Sequence, residues 1–181
     1  VHGPCFKLPS HAQCSLVISI ELDVNIASTL STFSPDVVFP ILHGPPGEDG
    51  TLQGFLEILG YPYVGSDVHS SALAMDKIAA KQVFREADLP VADQCVIHRE
   101  VAIADSVARI TGQLGESVVV KPASQGSAIG VTLIDNANKL HDAVVAAFEY
   151  DHRLLVEERI RGREITVGVI DTVDGTQSFP V

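Results

Sequence analysis

The segment Val118-Val119-Val120-Lys121-Pro122-Ala123-Ser124-Gln125-Gly126-Ser127-Ala128-Ile129-Gly130-Val131 predicts a strand, a lysine, a loop of small residues and a return strand. Its first three residues are β-branched and predict a buried strand, because side chains that are stiff at χ1 suit a pleated surface. Gly126 and Gly130 let backbone N–H groups of the loop come close to a ligand. Lys121 adds a matching positive charge, so the segment predicts a lid over the phosphates of a nucleotide. A glycine-rich hairpin turn beside a solvated lysine is the alternative.

The composition argues against two classes of partner. The chain has 181 residues, 46% of them hydrophobic, and its 12 Lys and Arg against 23 Asp and Glu give a net charge of −11. Such an acidic chain gains no counterion-release affinity for nucleic acid and is repelled by anionic membrane surfaces. An anionic ligand must therefore be bound by a local arrangement of groups. The longest apolar runs, 16–20 and 37–42, are too short to span a bilayer.

The cysteines favour a cytoplasmic protein, and the chain ends indicate a fragment of a longer one. Nothing at the start of the chain resembles an export signal, and three cysteines form no disulfide framework. Cys5, His11 and Cys14 suggest a metal site, but no fourth ligand follows at a usual spacing, so we expect no zinc. The chain opens on Val1 and closes on a strand-like segment at Val181, which predicts that both ends are cut.

Hydrophobic periodicity predicts a mixed α/β chain, with residues 1–14 left unassigned. Strands are expected at 16–24, 36–42, 61–65, 118–120, 131–134, 153–157 and 163–170, a linker running into a strand at 89–98, and a hairpin at 171–175 leading into a last strand. Helices are expected at 51–59, 71–75, 76–87, 101–114 and 137–148, with Asp67 or Ser70 as an N-cap. The apolar run 36–42 is typical of a buried parallel strand, and 36–65 then forms a βαβ unit.

Two common nucleotide-binding fingerprints, G-x-x-x-x-G-K-[ST] and G-x-G-x-x-G, are absent from the sequence. A different set of residues remains consistent with ATP binding. Lys77, Lys121 and the loop from Gly126 to Gly130 have the chemistry to neutralise and cover phosphates. The backbone of 154–160 has the chemistry to pair with an adenine edge, and Glu164 to accept from ribose hydroxyls. The alternatives are a solvated strand end at 157–158 and a cross-strand arginine partner for Glu164.

Five motifs, in order along the chain, resemble those of the D-alanine–D-alanine ligases, which belong to the ATP-grasp superfamily. They are His43-Gly44-Pro45-Pro46-Gly47-Glu48-Asp49-Gly50-Thr51-Leu52-Gln53-Gly54, Tyr63-Val64-Gly65-Ser66, Ser71-Ala72-Leu73-Ala74-Met75-Asp76-Lys77, Lys121-Pro122-Ala123-Ser124-Gln125-Gly126-Ser127, and Glu157-Glu158 followed by Gly162-Arg163-Glu164-Ile165-Thr166-Val167. The resemblance runs from about Asp36 to Ile170. Such a series is highly specific.

The resemblance implies an activity and a role for each matching residue. The family joins two D-alanines for peptidoglycan precursors: ATP phosphorylates the first carboxylate, and the second amine attacks the acyl phosphate. The matching ATP-binding positions are Lys77, Lys121, Gly126, Ser127, Glu157, Glu158, Ile160 and Glu164, with the lysines on the phosphates and nucleotide, Glu157 and Ile160 on adenine and Glu164 on ribose. Ser127 matches the catalytic loop serine that orients the first D-alanine. His43 matches a histidine near that substrate's carboxylate.

By the same resemblance, residues 1–80 form part of a Rossmann-like N-terminal substrate-binding domain, and residues 81–181 an incomplete ATP-grasp domain. Homodimerisation and a Mg²⁺ requirement are implied. No R-x-D or E-x-N follows Glu164, so the Mg²⁺ ligands are expected beyond Val181 and these 181 residues are not expected to be active alone. Ala128 and the pair Glu158-Arg159 depart from common family patterns.

Two alternatives to D-alanine–D-alanine ligation stay open at this point. One is a ligase of the same superfamily with another second substrate, such as D-lactate. The other is a truncated nucleotide-binding module without catalysis.

Overall fold

The chain has a mixed α/β fold in the computed structural model, which describes residues 5–6 and 15–181. The strands are β1 Cys5–Phe6, β2 Ser15–Leu16, β3 Gln94–His98, β4 Val118–Pro122, β5 Thr132–Ile134, β6 Arg153–Glu158, β7 Val169–Thr172 and β8 Gly175–Ser178. The helices are α1 Ile26–Phe33, α2 Thr51–Leu59, α3 Val68–Met75, α4 Lys77–Glu86, α5 Ile103–Leu114 and α6 Leu140–Ala147, with a 3₁₀ turn at Ala137–Lys139 before α6.

The chain divides into two compact units. One contains the described residues up to Pro40 together with Gln53–Gly65, and the other contains Ile41–Leu52 together with Ser66–Val181. The domain boundary near residue 80 stays a prediction. The second unit holds the residues that the sequence singles out as a candidate site.

A four-stranded antiparallel sheet organises the second unit. Its strand order is β3-β6-β4-β5, so β4 and β6 are the central strands. Val119 of β4 is opposite Glu157 of β6, and Lys121 is opposite Leu155. Because side chains alternate between the faces of a sheet, Lys121 and Glu157 project from the same face as diagonal neighbours.

The other face of this sheet carries the core. Val118 and Val120 of β4 and Leu154 and Val156 of β6 are fully buried, and they form one cluster with residues of α5 and α6. The helical members include Ile110, Leu140 and Val144, and the strand β3 adds Cys95 and Ile97. Burial of this continuous apolar surface is the main stabilising term for such a layer. The sheet is thus anchored by helices on one face, and its other face presents Lys121 and Glu157.

Asp67 and Asp76 cap the N-termini of the two helices that precede the site, α3 and α4. Asp67, one of the two predicted caps, accepts a hydrogen bond from the N–H of Ser70 at 2.7 Å, and α3 starts at Val68 rather than at Ser71. Asp76 accepts from the N–H groups of Ile78 and Ala79 at 3.0 and 3.2 Å and caps α4. A side-chain acceptor at the N-cap satisfies donors that a helix leaves free at its start. The cap at Asp76 fixes where α4 starts and therefore which face of the helix carries its lysines.

Three predicted strands of the N-terminal part, 16–24, 36–42 and 61–65, were wrong, and the expected βαβ unit is reduced to one isolated bridge between residues on either side of α2. The apolar run 36–42 makes one parallel bridge, Val38 to Tyr63, and Phe39 and Ile41 are 67% and 77% exposed. The bridge has the expected direction, but a parallel strand becomes buried only when neighbours cover both its edges and its faces. The segment 16–24 contributes only Leu16 to a strand, at the end of β2. β-branched residues favour a strand, but they do not provide the partner strand with which it must pair.

Other predicted elements lie closer to the observed ones. Helix α2 has the predicted bounds, and Leu52 and Leu56 of its apolar stripe are buried. The helix predicted at 137–148 is divided into the 3₁₀ turn and α6, and the alternation at 163–170 becomes strand only from Val169, where the predicted hairpin forms. Helix α1 was not predicted. The side chains of the Cys5, His11 and Cys14 set lie outside the described part of the chain.

Candidate functional site

Helix α4 presents two lysines to the polar face of the sheet. Lys77 and Lys81 are one turn apart and share a helix face, as residues four apart must. The N–H of Lys77 donates to the carbonyl of Ala123 at 3.0 Å, which joins the start of α4 to the end of β4. Arg153 of β6 donates to the cap residue Asp76 at 2.7 Å. The helix start is therefore fixed to both central strands.

Glu157 lies between two lysines from different elements. Its Oε1 accepts from the ammonium of Lys81 on α4, and its Oε2 accepts from the ammonium of Lys121 on β4. The glutamate is 7% exposed. A buried carboxylate of this kind is stable only when it is paired and hydrogen-bonded, and each of its oxygens has its own cationic partner. The interpretation of Glu157 as a solvated strand end was wrong, because the sheet places it under α4.

Burial and charge act in opposite directions on this group. Burial raises the pKa of Glu157, but the hydrogen bonds from Lys121 and Lys81 outweigh it and hold the pKa below its ordinary value. For Lys77, burial lowers the pKa, and the charge of Lys121 lowers it further. Three lysines are thus grouped near Glu157, and Lys77 is also influenced by the charges of Asp151 and Asp76.

The ammonium of Lys77 holds the loop after β4. It donates to the carbonyl of Pro122 at 3.2 Å and to the carbonyl of Gln125. A lysine ammonium has three N–H donors, so one donor of Lys77 is left for another acceptor. That donor is next to the loop that the sequence predicts as a phosphate lid.

The loop itself is a series of tight turns. The N–H of Ile129 donates to the carbonyl of Gly126, and that of Val131 to the carbonyl of Ala128, at 3.0 and 3.2 Å. Ser127 and Ala128 have φ of 49° and 58°, in the left-handed region that few non-glycine residues adopt. Within the part of the chain that the structure describes, the N–H of Ser127 makes no hydrogen bond. The N–H of this exposed residue is therefore without a partner in the described part of the chain.

A cavity of about 360 Å³ opens beside this loop. Its lining residues are Glu48, Ala74, Met75, Lys77, Gln125, Gly126 and Ser127. The carboxylate of Glu48 accepts from the N–H of Gly44. A Cβ on Gly126 would lie 3.2 Å from the Glu48 carboxylate and 3.4 Å from the Cα of Gly44. The loop after β4 and the loop that bears His43, which is exposed, thus meet at this cavity.

Five of the predicted ATP-binding residues are not among those that line the cavity: Lys121, Glu157, Glu158, Ile160 and Glu164. Ile160 is 70% exposed, and Glu164 is exposed without an ion pair among the described residues. Glu158 is exposed and accepts from the N–H of Asp93 at 3.1 Å. The structure brings Lys77, Gly126 and Ser127 together, and it joins Lys121 to Glu157. The roles assigned to all these residues stay predictions.

Sequence reasoning missed two residues of the site, Lys81 and Glu48. The shared helix face of Lys77 and Lys81 was a signal, but it did not show that Lys81 would reach a glutamate 76 residues away. Glu48 lies within the first of the five motifs without a role of its own. In residues 15–181, no group of three or more His, Cys, Asp and Glu side chains has the arrangement of a metal site. No described helix is both long and apolar enough to cross a membrane.

Gly130 is expected to be essential for the loop conformation. Its φ is +71°, and a Cβ would lie 2.7 Å from Pro122 Cγ and 2.8 Å from Tyr150 Cδ2. The Gly130→Ala substitution combines left-handed strain with steric overlap, so we expect a loss of about 2 kcal/mol in the free energy of unfolding. Urea unfolding measures it. Gly162→Ala is the control, because nothing lies within 4 Å of its Cβ position, and a similar loss in both variants would contradict the assignment.

Comparison with known proteins gives concordant results. A family model described as D-ala D-ala ligase C-terminus matches residues 83–180, and one described as D-ala D-ala ligase N-terminus matches residues 18–66. The D-alanine--D-alanine ligase of Thermoanaerobacter sp. (strain X514) is 47% identical over 136 residues, which make up 75% of this chain and 38% of that protein. The chain spans less than half the length of the curated relatives that it matches.

Two solved structures of ligases are similar to this chain. The D-alanine-D-alanine ligase from Coxiella burnetii has a TM-score of 0.71 at 40% identity, covering 79% of this chain and 42% of that one. The VanG D-Ala:D-Ser ligase from Enterococcus faecalis has a TM-score of 0.70 at 38% identity, covering 79% of this chain and 41% of that one. The mixed α/β fold expected from the sequence, with part of an ATP-grasp domain, is confirmed.

Proposed function

Because this chain belongs to the D-alanine–D-alanine ligase family, we propose that the protein containing it joins two D-alanines with ATP to form D-alanyl-D-alanine for peptidoglycan precursors. The carboxylate of the first D-alanine takes the γ-phosphoryl group, and the amine of the second D-alanine then displaces phosphate. The observation that carries the proposal is the Lys77 ammonium, half-buried against the loop of Gly126 and Ser127 with one N–H donor left.

Phosphoryl transfer depends on positioning and on neutralising the charge of the phosphates. Lys77 and Lys121 supply two cations on adjoining elements, and the loop adds backbone N–H groups. A side chain at Gly126 would fill the space toward Glu48 and Gly44, so glycine keeps this approach open to a ligand. The donor set therefore fits the phosphates of ATP. Closing of the loop over the nucleotide would exclude water from the acyl phosphate.

The remaining roles follow the family resemblance. Ser127 lines the cavity and is exposed, which supports a role in orienting the first D-alanine. His43 does not line the cavity but precedes Gly44, whose Cα lies 3.4 Å from the Cβ position of Gly126. By the family resemblance it would contact the carboxylate of that substrate. Glu157 and Ile160 would bind adenine, with Glu158 beside them, and Glu164 the ribose. The side chains of Ile160, Glu158 and Glu164 are exposed and therefore accessible to a nucleotide.

Magnesium, location and assembly complete the proposal. Mg²⁺ would neutralise charge on the phosphates when bound, but the described residues do not fit a metal site, so no step is assigned to the ion. We infer a cytoplasmic location from the ATP requirement of the proposed reaction, and a homodimer from the family resemblance.

The test of this function is ADP release by the full-length protein that contains these residues. We expect release that depends on D-alanine, with D-alanyl-D-alanine identified by mass spectrometry. L-alanine in place of D-alanine is the control. Absence of ADP release with every amino acid offered would overturn the proposal. ATP binding without turnover would favour a non-catalytic nucleotide-binding protein.

A second candidate is a ligase with another second substrate. The D-Ala:D-Ser ligase is about as similar to this chain as the Coxiella enzyme, with TM-scores of 0.70 and 0.71. This part of the protein thus does not distinguish the two specificities. D-alanine, D-serine and D-lactate offered together to the full-length protein would do so. A product consisting mainly of a mixed D-alanine–D-serine dipeptide or D-alanine–D-lactate depsipeptide would favour the second candidate.

A further inference from the structure

Lys81 is the most enclosed of the lysines that the structure describes. The residue is 8% exposed and lies on the inner face of α4. Its ammonium donates to the carbonyl of Ala92 at 2.7 Å and to Oε1 of Glu157. Burying a lysine costs free energy unless its charge is paired. Lys81 is therefore held by two acceptors in a fixed position.

The two lysines on Glu157 differ in their freedom to leave it. The side chain of Lys121 is 28% exposed, whereas that of Lys81 is 10% exposed. Lys121 projects from a sheet face toward the site. Of the two cations, Lys121 is thus the one with solvent access, and Lys81 is the one that stays.

The proposed function requires Lys121 to contact the nucleotide. Contact with phosphate competes with Glu157 for the Lys121 ammonium, because one cation then faces two anionic acceptors. A buried carboxylate that loses its only cation is strongly destabilised. Glu157 has a second cation in Lys81, so a weaker bond to Lys121 still leaves the carboxylate paired.

We infer that Lys81 is a positioning residue for ATP: it is the permanent counter-ion of Glu157 and so releases Lys121 for the phosphates. This inference rests on the proposed function. It assigns Lys81 no contact with the nucleotide. Without Lys81, Glu157 retains Lys121 as its only cation, and phosphate must compete with a buried carboxylate for that lysine.

The experiment compares ATP with adenosine, which lacks the phosphates that Lys121 would bind. Isothermal titration calorimetry of the full-length protein gives both dissociation constants. For Lys81→Met, which retains the apolar stem of the side chain, we expect ATP to bind about tenfold more weakly and adenosine about as well as before. Lys139→Met, at an exposed lysine, should change neither constant.

The double variant Lys81→Met with Glu157→Gln removes the competing carboxylate. Its ratio of adenosine to ATP dissociation constants should return to the wild-type value, because nothing anionic then retains Lys121. If Lys81→Met does not fold, the double variant alone decides. A wild-type ratio supports the inference, and a lowered ratio overturns it.

Several outcomes would overturn this role. Equal weakening of ATP binding and adenosine binding in Lys81→Met would show a structural effect on the whole site. Unchanged ATP binding would show that Lys121 binds the phosphates equally well without Lys81. Wild-type protein that fails to bind ATP would instead refute the proposed function itself, and this inference with it. The two failures are thus told apart by the wild-type titration.

Discussion

The Glu157→Gln substitution is expected to lower the free energy of unfolding by about 3 kcal/mol at neutral pH. It removes the carboxylate that pairs Lys81 and Lys121, and Lys81 is too buried to turn to water. Removing one partner of a buried ion pair is costly because the other charge is left uncompensated. Urea unfolding monitored by circular dichroism measures the loss.

The pH dependence of this difference has a definite sign. The pKa of Glu157 is below its ordinary value of 4.5 in the folded protein. The ionised group therefore stabilises the fold above pH 4.5, and this contribution is lost as the pH falls through the lower, folded-state pKa. The gap between wild type and Glu157→Gln should shrink below about pH 4.5. Glu149→Gln, at an exposed glutamate, is the control and should match wild type, and a gap that is constant down to about pH 3 would contradict the pairing.

The Lys121→Ala substitution is expected to weaken ATP binding by the full-length protein about 100-fold. A charge-assisted contact to phosphate is worth about 3 kcal/mol, and each 1.4 kcal/mol is a factor of ten in affinity. Glu157 keeps Lys81 as a partner in this variant, so the protein should stay folded. Isothermal titration calorimetry with ATP gives the affinity.

Lys139→Ala is the matched control for Lys121→Ala. Lys139 is exposed in the 3₁₀ turn before α6 and has no role in the proposed site. Its replacement should leave the ATP dissociation constant within about twofold of wild type. Equal effects of the two substitutions would count against the role of Lys121.

The local elements of the second unit were largely predictable. The β-branched run of β4, the glycines of the following loop and the Asp67 cap of α3 act on their own neighbours in sequence, and each has the predicted place. The apolar stripe of α2 likewise fixed its bounds. Motifs of this kind also carried the family resemblance, because they consist of consecutive loop residues that can be compared directly.

Predictions that needed a distant partner failed more often. The apolar run 36–42 has the composition of a buried strand, yet Ile41 is 77% exposed. The prediction assumed neighbouring strands and helices that cover this run, and the composition of the run does not show whether they exist. Helix α1 was missed between the two segments that were predicted as strands, 16–24 and 36–42.

By itself, the sequence determined the family, the mixed α/β class and the loop after β4, and it led to the prediction that Lys77 and Lys121 bind ATP. The tertiary structure decided the state of Glu157 and revealed Lys81 and Glu48. Lys81 and Lys121 are 76 and 36 residues from Glu157 along the chain, and nothing local distinguishes a solvated Glu157-Glu158 pair from one buried and one exposed glutamate. The antiparallel pairing of β4 with β6, and the placing of α4 over their polar face, brought these charges together, because burial leaves a carboxylate no stable alternative to cationic partners.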